Sequence, residues 1–184
     1  MFNDTAMRFK KDSHKLADKL EEIKQFQFHG VELQEELFAV GTTNMILRAD
    51  GKGNFQRNSI FDVTRDGFFP YAPERPEHRE GLTKVLMHPP YLQSKDKTIR
   101  HLSELSFTSY ALDLLEVRGC LAAIVPQSAM VRKTREDKAL KAAIMKKHTL
   151  DAGLTMTPDT FHGIGTHVVI ALFAIGVPHP EQKI

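Results

Sequence analysis

An α/β fold with a largely parallel sheet is predicted by two features of this chain. Short apolar runs read as buried strands, and segments with apolar residues at helical spacing alternate with them. The strand-like runs are "FHGVEL", "TKVLMH", "CLAAIVP" and "THVVIALFAIG". Strands in such sheets are covered on both faces and so are apolar almost throughout.

The 184 residues, 41% of them hydrophobic, suffice for one domain with its own core. Cys120 has no partner cysteine in the sequence, which excludes a disulfide framework or a cysteine-ligated zinc and fits a reducing, cytoplasmic compartment. The N-terminus lacks the apolar stretch of a signal peptide. The longest apolar run, Val168 to Val177, is about half of the ~20 residues a membrane-crossing helix needs. A soluble protein is expected. The formal net charge of +2 permits nucleic-acid binding without arguing for it.

Along the chain, residues 4 to 25 are polar and lysine-rich. Leu16, Leu20 and Ile23 mark a surface helix with a narrow buried stripe. Phe28 to Leu33 is a short strand. A helix near residues 34 to 48 follows, carrying Leu37, Val40, Asn44 and Leu47, with Gly51 and Gly53 as its stop. Asn54 to Asp62 holds another short strand. Residues 63 to 82 are rich in proline, glycine and charge, and this loop is expected to be poorly ordered without DNA or a partner. "TKVLMH" then gives a strand at residues 83 to 88, buried on both faces. Phe107, Tyr110, Ala111, Leu114 and Leu115 predict a helix from about Ile99 to Val117, ended by Gly119. A strand at residues 120 to 125 and a helix from Arg135 to Lys147 come next. The segment "TLDAGLTMTPDTF" separates them from a strand at residues 166 to 174.

Ligands of open α/β sheets bind at the carboxyl ends of the strands, and three candidates stand there. Glu32 ends a strand, and its two oxygens suit the paired hydroxyls of a ribose; the commoner role of such a residue is a solvated charge. Asn58, Ser59 and Ile60 end a second strand. "HPPY", His88 to Tyr91, ends the third. Its two prolines fix φ and remove two backbone donors, and the tyrosine offers a flat face. That combination suits a planar, amine-bearing base, although two prolines also simply end strands. "GKG" at Gly51 to Gly53 and "GIG" at Gly163 to Gly165 lack the strand-turn-helix setting of a phosphate loop and read as turns. His162, His167 and Asp159 match no common metal-ligand spacing, so no metal is expected. The basic run "KTREDKALKAAIMKKH" is ordinarily a solvated helix face and becomes a DNA-backbone candidate only beside a DNA-acting site.

In this order the blocks "HGVELQEELFAVGTTNMILRADGKGN", "KVLMHPPYLQ", "AAIVPQSAMV", "KTREDKALKAAIMKKHTL" and "TPDTFHGIGTHVVIALFAIGVPHP" resemble the adenine-specific DNA methyltransferases of type I restriction-modification systems, the N-6 DNA methylase modification subunits. The blocks run from about His29 to Pro180. The resemblance implies a Rossmann-like fold dependent on S-adenosylmethionine, and methyl transfer to the exocyclic amine of an adenine flipped out of DNA. It implies one partial catalytic domain over residues 1 to 184: a surface helix (1–27), a cofactor-side part (28–62), a loop (63–82), and the catalytic motif with the remaining sheet (83–184). Glu32 would hold the ribose of S-adenosylmethionine, Ser59 and Ile60 would line its adenine pocket, and Leu33 would be a further cofactor-binding residue. His88, Pro89, Pro90 and Tyr91 would be the catalytic motif. DNA and the specificity and restriction subunits of a type I complex are the partners implied.

Two departures accompany the resemblance. His88 stands where the family has asparagine. The family's glycine-rich cofactor loop belongs before residues 4 to 25, so the chain is expected to lack the first strand and that loop, and alone to bind S-adenosylmethionine without useful affinity. The alternative is a non-catalytic remnant or interaction module that keeps the fold and self-associates through exposed sheet edges.

Overall fold

The computed structural model describes residues 13–48, 54–63, 82–91, 103–157, 160 and 167–180. The start of the first expected helix, the "GKG" and "GIG" turns, residues 64–81 of the charged loop, the beginning of the helix expected from Ile99, and Asp159 and His162 lie outside the described residues. The chain divides into two units, Met1–Arg79 and Glu80–Ile184.

In the first unit, helix α1 (Ser13–Phe26) half-buries Leu16, Leu20 and Ile23, the stripe expected of it. Strand β1 (Gly30–Glu32), helix α2 (Glu35–Leu47) and strand β2 (Phe55–Arg57) follow. The two strands pair in parallel, Gly30 opposite Phe55 and Glu32 opposite Arg57. A parallel pair needs a crossover, which α2 provides. Glu35 and Glu36 in its first turn suit the positive end of the helix. Leu37, Val40 and Leu47 are each more than half exposed, so the apolar spacing read from the sequence does not mark a face buried in this unit.

Phe55 packs β2 against β1 and α2. Its ring stacks on Phe38 with centroids 4.9 Å apart, and a Cβ at Gly30 or Gly41 would stand 2.5 Å or 2.8 Å from ring carbons. The ring thus occupies the space that side chains at both glycines would need. Gly30→Ala is expected to destabilise the chain by about 1–3 kcal/mol through overpacking, read as a lower urea midpoint. An unchanged midpoint would show that the ring yields freely.

The second unit contains β3 (Leu82–Met87), α3 (Glu104–Leu114), β4 (Leu115–Pro126), α4 (Gln127–Val131), α5 (Arg135–Lys147), β5 (Thr149–Thr155) and β6 (Val168–Ala174). Its four-stranded sheet has the order β3-β4-β6-β5. β3 and β4 are parallel, whereas β6 runs antiparallel to both β4 and β5. One face of the sheet is core. Leu121, Ala123 and Val125 of β4 and Val169, Ala171 and Phe173 of β6 are buried, together with Leu105, Ala111 and Leu112 of α3 and Ile144 of α5. Alternate residues of each strand supply that face, as the pleat requires.

The α/β class stands as expected, with four corrections. The four-stranded sheet is mixed, and of residues 28–33 the strand Gly30–Glu32 pairs in a separate, parallel two-stranded sheet. "TLDAGLT" forms a further strand, β5, and its neighbour β6 returns antiparallel to it. β3 is an edge strand with Leu86 78% exposed, because among the described residues it pairs with β4 alone; an apolar run does not distinguish burial on two faces from burial on one. Lastly, α3 ends at Leu114, before Gly119, and Gly119 lies inside β4. There Arg118 adopts a left-handed φ of 71°. A Cβ at Gly119 would come within 2.8 Å of Glu116 O and 3.0 Å of Thr83 O. That glycine serves a close backbone approach between β3 and β4.

At the far end of α5, the C-cap residue His148 is buried, and its Nδ1 accepts the Gly176 N–H at 3.3 Å. Burial holds this imidazole below its ordinary value of 6.5, with Lys147 acting in the same direction and Asp113 opposing. A depressed folded-state value gives stability that is complete above the unfolded value and is lost as pH falls from there through the folded one. Denaturant midpoints are therefore expected to fall between pH 7.5 and pH 5, and to fall less in His148→Asn. Equal falls in both proteins would assign the acid sensitivity elsewhere.

Candidate functional site

The parallel pairing of β1 and β2 brings their carboxyl ends to one rim of the first unit. Glu32 closes β1, and its backbone carbonyl accepts the Asn58 N–H at 3.2 Å just beyond β2. The Glu32 carboxylate Oε1 accepts the Gln34 N–H at 2.7 Å, which fixes the group at the rim. Past β2, Asn58 Oδ1 accepts the Ser59 N–H at 2.8 Å. Ser59 Oγ in turn accepts the Phe61 N–H at 3.3 Å and caps the short 3₁₀ turn Ile60–Asp62. Ile60 is half-buried and Leu33 is 63% exposed. The four residues expected at a cofactor, Glu32, Leu33, Ser59 and Ile60, thus gather at the ends of adjacent strands.

A second rim lies in the second unit, where the parallel pair β3 and β4 ends with Met87 opposite Ala123. The chain leaves β3 as His88-Pro89-Pro90-Tyr91. Pro89 is buried, His88 and Pro90 are exposed, and Tyr91 is half-buried. His88 Nε2 and Tyr91 Oη share a hydrogen bond of 2.9 Å, with the ring centroids 5.1 Å apart and the planes at 63°. Partial burial lowers the His88 value below 6.5, so the imidazole is neutral at pH 7. Burial, and then the negative charge of Glu104, raise the Tyr91 phenol above 10.0. The pair therefore has one shared hydrogen bond whose donor follows the imidazole tautomer. If Tyr91 donates, His88 Nδ1 carries the proton; if His88 Nε2 donates, Nδ1 is an acceptor.

A charge network beside this rim was not expected from the sequence. Glu104, at the start of α3, is 1% exposed, and its Oε2 accepts from Arg132 Nη2 at 2.8 Å. Arg132 follows α4, and its Nε lies 3.5 Å from Asp137 Oδ2. Asp137 sits in the first turn of α5, where Thr134 Oγ1 donates to Asp137 Oδ2 at 2.7 Å and accepts the Asp137 N–H at 3.1 Å. Lys141 Nζ donates to the carbonyls of Met130 and Arg132, each at 2.7 Å, and closes the turn between α4 and α5. Of these, the Thr134–Asp137 spacing is a readable capping pattern. Glu104 in a helix's first turn carries no mark of burial. Lys133, Arg135 and Lys138 of the basic run are exposed.

Residues 5–184 match the family described as N-6 DNA Methylase. The chain belongs to that family. The family implied by the quoted blocks is thus the one found. This N-6 DNA methylase chain is 47% identical over 169 residues to the type II restriction enzyme and methyltransferase RM.BcgI of Heyndrickxia coagulans, covering 90% of this chain and 25% of that protein. Among solved structures, one describing complex assembly of the type I R-M system matches with a TM-score of 0.67 at 16% identity, over 86% of this chain and 33% of the other. A modification subunit of a putative type I restriction enzyme from Vibrio vulnificus matches at 0.61 and 13% identity, over 82% and 33%. The M protein of the type I restriction enzyme EcoKI matches at 0.59 and 18%, over 82% and 31%. The N-6 DNA methylase chain therefore spans a quarter of the curated relative and about a third of each structure. Its α/β architecture is the Rossmann-like fold that these modification subunits share. Among the described residues, no helix is long and apolar enough to cross a membrane.

Proposed function

We propose that this chain carries the base-receiving rim of a DNA adenine methyltransferase in a restriction-modification system. The observation that supports it most directly is the His88-Pro89-Pro90-Tyr91 segment at the carboxyl end of β3, with a neutral imidazole and a protonated phenol side by side. Tyr91 would stack on an adenine flipped out of the duplex, and the polar groups of this segment would hold its exocyclic amine. The prolines have no N–H to compete for those acceptors and keep the turn rigid.

The first rim fits S-adenosylmethionine in its donor set. A carboxylate held in place at a strand end can accept from both ribose hydroxyls, and Leu33, Ser59 and Ile60 offer apolar surface and one hydroxyl to an adenine ring. When bound, S-adenosylmethionine supplies an electrophilic methyl group. The protein's part is to hold the acceptor amine with its lone pair directed outward from the rim.

DNA is the proposed partner and a cytoplasmic location the proposed setting. RM.BcgI is a type II enzyme and the similar structures come from type I systems, so a restriction enzyme is the ground common to both, and adenine as the target is read from the N-6 DNA methylase family. A type I complex with specificity and restriction subunits is the finer reading. A non-catalytic module is the second reading, favoured by His88 in the asparagine place and by its closure on Tyr91. Tyr91→Ala and Tyr91→Phe separate the two. Loss of stacking costs about 1–3 kcal/mol per base, so in a complete version of the protein that binds S-adenosylmethionine, tritiated methyl transfer to DNA is expected to fall roughly tenfold or more in the alanine variant and to persist in the phenylalanine one. Equal transfer by both variants, or none by the parent protein, would favour the module.

A further inference from the structure

The basic run from Lys133 to His148 divides between the two ends of the second unit's sheet. β6 starts with Val168 beside Pro126 and ends with Ala174 beside Cys120, and β5 starts with Thr149 beside Ala174. α5 therefore begins at the end of the sheet where β4 passes into α4 and returns to the opposite end, a span its 13 residues cover at about 1.5 Å each. Two ion pairs tie down those ends, Arg132 with Glu104 at the start of α3 and Lys147 with Asp113 near its finish, each at 2.8 Å. Because β3 and β4 are parallel, the His88–Tyr91 segment leaves the sheet at the same end as α4. Lys133, Arg135 and Lys138 thus stand at the rim end, and Lys146 and Lys147 at the far end.

A fixed turn presents the rim-end cations. Arg132 faces inward to Glu104 and Asp137, both buried, and Lys141 Nζ holds the carbonyls of Met130 and Arg132. Thr134 caps α5, so the backbone between α4 and α5 is tied on both sides of Lys133. Outward, the turn shows Lys133, Arg135 and Lys138, all exposed and without an ion pair among the described residues, with Glu136 the exposed acid among them. Arg135 and Lys138 are three residues apart and so neighbours on the helix surface. The carboxylates that could balance this charge are turned to Arg132, and the fold makes no use of the three cations left outside.

We propose that Lys133, Arg135 and Lys138 form a contact surface for DNA phosphates beside the His88–Tyr91 rim, with the duplex backbone running over the α4–α5 turn. Phosphate contacts fix the position of a duplex without reading its sequence, and each cation that neutralises a phosphate releases a counterion. The ties of the turn lower the cost of ordering these side chains on binding. The inference rests on reading the second rim as the place that receives a base, and it adds the path of the strand on either side of that base.

The test follows binding of a fluorescein-labelled duplex to the full chain by anisotropy, across about 50 to 200 mM salt. Lys133→Ala, Arg135→Ala and Lys138→Ala are each expected to flatten the plot of log affinity against log salt by about one, and to weaken binding alike on unrelated sequences. Lys146→Ala removes the same charge at the far end and is expected to leave the slope in place. All three rim-end side chains are exposed and the clasp of Arg132, Lys141 and Thr134 is untouched, so folded variants are expected by circular dichroism; glutamine replacements serve where an alanine variant unfolds. Unchanged slopes in the rim-end variants, equal flattening in Lys146→Ala, or no duplex binding by the parent chain would overturn the proposal. So would parent binding to phosphatidylglycerol vesicles that the rim-end variants lose while their duplex binding stays, which would make the surface a membrane contact. The assay contains no S-adenosylmethionine: flattened slopes beside absent methyl transfer keep the surface in a non-catalytic module, and unchanged slopes beside active transfer remove the surface alone.

Discussion

In a complete version of this protein that binds S-adenosylmethionine, replacing His88 by asparagine is expected to raise methylation of DNA by on the order of a hundredfold to a thousandfold, the usual effect of one acceptor or donor that acts in the transition state. An asparagine amide oxygen is an acceptor whatever the pH and whatever its neighbour does. The imidazole of His88 is neutral at pH 7, but one nitrogen is bonded to Tyr91, and the other accepts only in one of two tautomers. The substitution also releases Tyr91 Oη from its bond to the ring. The measurement is tritiated methyl transfer from S-adenosylmethionine to DNA with both forms at equal concentration. A histidine form that equals or exceeds the asparagine form would show that the imidazole is itself the adapted group.

Arg132→Met is expected to lower the stability of the second unit by about 3–5 kcal/mol, because it strands a carboxylate that is almost fully buried. The double change Glu104→Gln/Arg132→Met removes the stranded charge and is expected to recover most of that loss. Urea unfolding followed by circular dichroism reads both. If the single and double variants have the same midpoint, Glu104 is not carrying a charge that Arg132 must balance.

Local patterns were legible wherever the responsible residues are neighbours in sequence. The helix Arg135–Lys147 has the bounds expected from Ala139, Leu140, Ala143 and Ile144, and its Thr134 cap follows from spacing alone. The His-Pro-Pro-Tyr segment was legible as rigid and as a strand end, and it is one. What escaped depends on partners far away in the chain. β5 has half-exposed, weakly apolar residues and owes its conformation to β6. Gly119 looks like a helix stop, yet Thr83, thirty-six positions earlier, decides its role. Glu104 reads as an ordinary first-turn acid until Arg132, 28 positions later, arrives beside it.

The strand order β3-β4-β6-β5 has a consequence for synthesis. As the chain emerges from the ribosome, β5 appears with no edge to join, since the place beside β4 is reserved for a strand not yet made. Only when Val168–Ala174 arrives can it wedge between β4 and β5 and complete both ladders at once. Until then the β4 edge offers open backbone groups to any passing extended segment. Nascent chains halted before residue 168 are thus expected to be protease-sensitive along β5, and those extending past residue 174 protected, which makes the final described strand the latch of the sheet.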